Sequence, residues 1–89
     1  MTHPAIALAE FPRLFCLAAA LILNELPPAN ELSGGAARRR ELVTRIAVSD
    51  TLTLKLRQGS TDEITLRANL RYWRELAEET QAMMTLYTP

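Results

Sequence analysis

The side chains able to act as nucleophiles, general bases or metal ligands are few and scattered. Cys16 is the single cysteine and His3 the single histidine. A thiolate nucleophile needs a base within hydrogen-bond reach, yet His3 lies thirteen residues away with Pro12 between them. Cys16 stands between Phe15 and Leu17, the setting of an inert core thiol. One His and one Cys do not furnish the nitrogen and sulfur ligands of a zinc site, and a lone Cys allows no internal disulfide. Carboxylates gather at Glu75, Glu78 and Glu79, but Arg71 and Arg74 stand beside them, as on a solvated helix face. Gly34-Gly35 lacks the spaced glycines and following Lys of a phosphate loop. The expectation is no enzyme, no metal site and no cofactor.

Positive charge is the next candidate. Formal net charge is zero, so no global field draws the chain towards nucleic acid or membrane. Locally, residues 38–74 hold nine bases against four acids, which would suit a phosphate backbone or an acidic protein. Much of that charge has partners at helical spacing. Glu63–Arg67, Arg71–Glu75 and Arg74–Glu78 are i,i+4 pairs. Arg38, Arg39 and Arg40 have only Glu41 close by and form the freer patch. A DNA reader also wants two helices joined by a short turn. Gln58-Gly59-Ser60 could be that turn, but the wide apolar face of the last segment leaves little surface for reading bases.

The third candidate is apolar. No charged residue occurs from Leu14 to Leu23. Ten such residues fall short of the roughly 18 needed to cross a bilayer. Arg13 before them resembles the start of an export signal, but Glu10, Pro12 and the lack of a small-x-small cleavage site after Leu23 do not. The expectation is therefore a cytoplasmic protein with no membrane association. A helix apolar on all sides must be covered by a large core, a bilayer or another chain. Two neighbouring helices leave one of its sides uncovered, so a second chain is expected there. Phe11, Phe15, Leu17 and Leu21 are the expected apolar contacts, with Arg38, Arg39 and Arg40 steering an acidic partner.

These residues must be positioned by three segments. The first helix is expected over about Pro4–Leu26, with Pro4 in its first turn and a kink or restart at Pro12. Pro27-Pro28 ends it, and Pro27–Gly35 is a loop rich in breakers. The second helix starts near Ala36, with three Arg in its opening turns against the helix dipole. The third runs about Thr61–Leu86 from a capping box at Ser60–Glu63. Leu66, Leu70, Trp73, Ala77 and Met84 form its apolar stripe, widened by Tyr72, Leu76 and Met83.

Thr51–Arg57 is ambiguous, because Leu52, Leu54 and Leu56 alternate with polar residues at a strand period. The expected fold is all-α, a single domain over 1–89 built as a small three-helix bundle, with the second helix reaching about Arg57. The alternative is α+β, with a short β-hairpin at about 51–67. Such a hairpin would give the end of the chain a helix–hairpin–helix order. Through LTLKLRQGS and RANLRYWRELAEE, that order resembles the small phage head-completion proteins.

The expected function is a non-enzymatic protein–protein interaction module, such as a small adaptor, chaperone-like protein or inhibitor. It would act through an apolar helix face and self-associate, as a homodimer or within a hetero-complex. The nine Arg beside many Ala suit GC-rich codons and so a bacterial or phage gene. The alternative is a small nucleic-acid-binding regulator using the Arg-rich middle segment.

Overall fold

Breaker residues after Leu26 and at Gly59-Ser60 divide the chain into three segments, and each forms a helix. The computed structural model describes residues 3–26 and 35–87. Its helices are α1 (Pro4–Glu25), α2 (Gly35–Gln58) and α3 (Glu63–Tyr87). They lie side by side in a body of 46 × 20 × 17 Å. α1 packs most extensively on α3 and next on α2, while α2 and α3 meet least. The expected helix stop at Pro27-Pro28 and most of the first loop lie outside the described residues.

α1 opens on His3, whose Nδ1 accepts the Ala5 N–H at 3.0 Å and whose carbonyl accepts from Ile6 and Ala7. This meets some of the amide donors that a helix start leaves unsatisfied. The expected restart at Pro12 does not occur, and α1 runs through it as one helix. Its inward residues Ala5, Ala9, Cys16, Ala19 and Leu23 lie on both sides of Pro12 and join one core. Packing both halves against the same neighbours compensates for the amide that proline removes.

α2 settles the ambiguous segment. The described residues contain no strand, so the hairpin alternative is not supported, and the phage-protein resemblance that depended on it goes too. The inward residues Leu42, Ile46, Ser49 and Thr53 step at i, i+4, i+7 and i+11, the period of a helix face. The strand-like alternation is inverted: Thr53 is 1% exposed, whereas Leu52 and Leu54 face outward. The reason is a hydrogen-bond requirement. Thr53 Oγ1 accepts the Trp73 Nε1–H at 2.8 Å and an Asn69 Nδ2–H at 3.0 Å, and a buried indole N–H needs such a partner.

α3 begins at Glu63, two residues later than expected. Asp62 is its cap, with Oδ1 accepting the Thr65 N–H at 2.7 Å. That bond, together with the Thr65 side chain, holds the Asp62 carboxyl below its usual range. Thr61 instead donates to the Leu56 carbonyl at 2.5 Å, tying the turn to the end of α2. The centre of the core is Trp73 with Leu23, Ile46 and Leu76, all at 1% exposure or less. Leu66 and Leu70 extend it, and Ala77, Met83 and Met84 pack at its edge, so the α3 stripe matches the sequence pattern except at Tyr72, which faces outward rather than into the core.

Polar contacts fix how the helices align. Arg13 bonds Asp50 at 2.5 Å and Glu10 at 3.2 Å, and Arg57 reaches the same Glu10. Across the other side, Arg45 meets Glu79 in a two-pronged pair at 3.0 and 2.8 Å. At the α1–α3 seam, Cys16 Sγ lies 3.7 Å from Thr80 Oγ1. Burial raises the Cys16 thiol pKa, against a smaller opposing effect of that hydrogen bond.

Candidate protein interface on the first helix

With α2 and α3 packed on one side of α1, its other side is uncovered. Leu8, Phe11, Leu14, Phe15, Leu21 and Ile22 all point outward, led by Phe11 at 82% exposed and Leu21 at 71%. Ala7 and Ala18 lie among them and are exposed as well. At 100° per residue these positions fill an arc of about 140°, with Phe11 and Ala18 near its middle. Glu10 and Arg13 turn towards α2 and pair there, and Glu25 stands exposed one turn beyond the C-terminal end of the arc. The exposed apolar surface is on the order of 700 Å², above the roughly 300–600 Å² of the largest patch on a typical monomer.

Of the four expected apolar contacts, Phe11, Phe15 and Leu21 stand on this arc. Leu17 does not, because it is half-buried and packs against the core. Leu8, Leu14 and Ile22 belong to the arc and were not anticipated. A usable signal existed in the seven-residue spacing of Leu8, Phe15 and Ile22, which keeps three residues on one helix face.

The basic patch is smaller than expected. Arg38 and Arg40 are exposed, but Arg39 is only 7% exposed and so does not steer from the surface. Its Nη1 donates to the Leu23 and Leu26 carbonyls at 3.0 and 2.7 Å, and its guanidinium lies 5.7 Å from the Tyr87 ring centroid. The last carbonyls of a helix lack internal donors and carry the negative end of its dipole. A guanidinium satisfies both, so the apparent charge conflict at the start of α2 serves the end of α1. Three more bases of the middle segment are paired, Arg45 with Glu79, Arg57 with Glu10 and Arg67 with Glu63. Of the three pairs expected within α3, Glu63–Arg67 forms at 2.7 Å, while Arg71–Glu75 and Arg74–Glu78 do not, and Glu79 reaches across to α2. The Arg45 hydrogen bond lowers the Glu79 pKa.

A second apolar feature lies where α2 and α3 diverge. Val48, Leu52 and Leu56 face Ala68 and Tyr72 across an open groove of about 560 Å³, with Ser49, Thr65 and Asn69 at its polar margin. No group of three or more potential metal ligands occurs among the described residues.

By length and composition α1 is sufficient to cross a bilayer, with a mean hydropathy of 2.0 over its most apolar 18 residues. The ten-residue count from Leu14 to Leu23 understated it, because Pro12 does not divide the helix and Ala5–Ala9 join the apolar stretch. No protein-family model, curated protein or solved structure matches this chain.

Proposed function

We propose that this protein is a non-enzymatic protein-interaction module that works through the outward face of α1 and associates with itself. The observation that carries this is the uncharged arc from Leu8 to Ile22, with six large apolar side chains exposed on one side of an otherwise packed helix. Its area approaches the roughly 800 Å² that each partner contributes to a standard protein interface. Phe11 and Phe15 are aromatic and lie at or near its middle, where binding energy concentrates. Roles as an adaptor, a chaperone-like factor or an inhibitor all use such a face.

Bilayer insertion would require α1 to leave the bundle. That would expose Trp73, Ile46 and Leu76 and strip Arg13 from Asp50 and Arg57 from Glu10. Helices lying in the interface carry a Lys- and Arg-rich polar face, whereas the only base in α1 is Arg13, already engaged by two carboxylates. A protein partner therefore fits better than a lipid one. Nucleic-acid binding through the Arg-rich middle is the weaker reading, because Arg39 is buried and Arg45, Arg57 and Arg67 face carboxylates.

The test is light scattering of the pure protein over a range of concentrations, beside flotation with neutral and anionic lipid vesicles. The expected result is a mass that rises to that of a dimer, with no flotation. A constant monomer mass, or flotation in place of self-association, would refute the proposal.

A further inference from the structure

We propose that two copies of the chain pair through α1 in a single antiparallel register, with a two-fold axis passing between Leu14 and Phe15. This rests on the reading of α1 as a self-association surface and adds the direction and the alignment. A two-fold contact is isologous, so if residue i meets residue j, then j meets i. With the axis between Leu14 and Phe15, Phe11 meets Ala18 near the centre line, while Leu14 stands level with Phe15, Leu8 with Leu21 and Ala7 with Ile22. All eight lie on the exposed arc.

Size complementarity selects this register. Phe11 is the most exposed large side chain of α1, and Ala18, the residue it meets, is among the smallest on the arc. Both stand near the middle of the arc, within about 20° of one another at ideal helical geometry. A large side chain entering the space left by a small one is how close-packed interfaces reach interior density. Parallel pairing would set Phe11 on Phe11 and Ala18 on Ala18, overfilling one level and leaving a void at another.

Charge selects it independently. Glu25 is exposed at the C-terminal end of α1, where the helix dipole disfavours an anion. The first turn of α1 has no acidic residue. In the antiparallel register Glu25 meets Pro4 of the other copy, placing a carboxylate at the electropositive end of the partner helix. In a parallel pair Glu25 would face Glu25.

The test is disulfide trapping with Phe11→Cys and Ala18→Cys, each in the otherwise intact chain. The two variants are oxidised with glutathione disulfide, alone and mixed, at concentrations where the parent self-associates. Both positions are exposed, so neither change disturbs the core, and the native Cys16 is fully buried. A bridge needs Cα atoms within about 7 Å, which only facing positions reach. The mixture should give the heterodisulfide, identified by mass, and neither variant alone should give a linked dimer. Phe11→Cys linking to itself, with no heterodisulfide, would overturn the register and leave self-association standing. No link in any sample from a dimeric parent would also overturn the register. No link from a parent that sediments as a monomer would overturn both.

Discussion

Replacing Thr53 with Val tests whether a single hydroxyl in α2 holds the core. Val keeps the shape of Thr and removes one acceptor. Thr53 Oγ1 receives the Trp73 indole N–H and an Asn69 amide N–H. Asn69 is only partly buried and can turn to water, so its loss is small. Trp73 is at 0% exposure and has no such option. An unsatisfied buried donor costs about 1–3 kcal/mol, and the added methyl returns less than about 1 kcal/mol of it. A net loss of about 1–2 kcal/mol lowers the melting temperature of a domain this size by roughly 5–15 °C. Urea unfolding followed by far-ultraviolet circular dichroism and by Trp73 fluorescence measures it, with the slope m expected to be unchanged. Thr53→Ser supplies the control, since it keeps the hydroxyl and loses one methyl. The reasoning is refuted if Thr53→Val is as stable as the parent, or if Thr53→Ser is the more damaging change, because methyl packing would then outweigh the hydrogen bonds.

Three further outcomes follow from contacts between helices. Arg39→Ala removes both donors from the Leu23 and Leu26 carbonyls and should cost about 1.5–3 kcal/mol in urea unfolding. Arg39→Lys should restore only part of this, because an ammonium lacks the planar fork and stacks poorly on a ring. Cys16, with its thiol pKa raised by burial, stabilises the fold fully below the ordinary thiol value near pH 8.5 and loses that contribution as pH rises through the folded value. The parent should therefore lose stability above about pH 8.5 more steeply than Cys16→Ala, and iodoacetamide should modify Cys16 only in urea. Glu79 runs the other way: its folded pKa is lowered by Arg45. Its contribution is present above the ordinary value near 4.3 and is lost as pH falls through the folded one. As the pair is largely exposed, Glu79→Gln should cost less than about 1 kcal/mol at neutral pH and flatten the acid limb of the stability curve.

The sequence and the structure agree where burial follows hydrophobicity. In α3 the inward positions are apolar almost throughout, so Leu66, Leu70 and Trp73 mark the face directly. They diverge where a polar side chain is buried for a partner on another helix. Thr53 broke the apolar period of α2 and made Thr51–Arg57 look like a strand, because its partner Trp73 is twenty residues away. Arg39 looked like surface charge because the carbonyls it serves belong to α1. The interface was legible in part for a different reason. A helix apolar on every side has no periodic contrast, so residues 4–26 could indicate that one side lacked cover without telling which. Only the placement of α2 and α3 turns Cys16 and Leu23 inward and leaves Phe11, Phe15 and Leu21 outside.

Phe11 lies at the middle of the proposed contact and touches little of its own chain, so a charge there separates association from folding. Sedimentation equilibrium of the parent beside Phe11→Asp, at matched concentrations and with circular dichroism on both, reads the two effects apart. A parent dimer with a monomeric Phe11→Asp of unchanged helicity is the expected result. A parent that stays monomeric, or a Phe11→Asp that dimerises as tightly as the parent, would contradict the assignment of α1 as the interaction face.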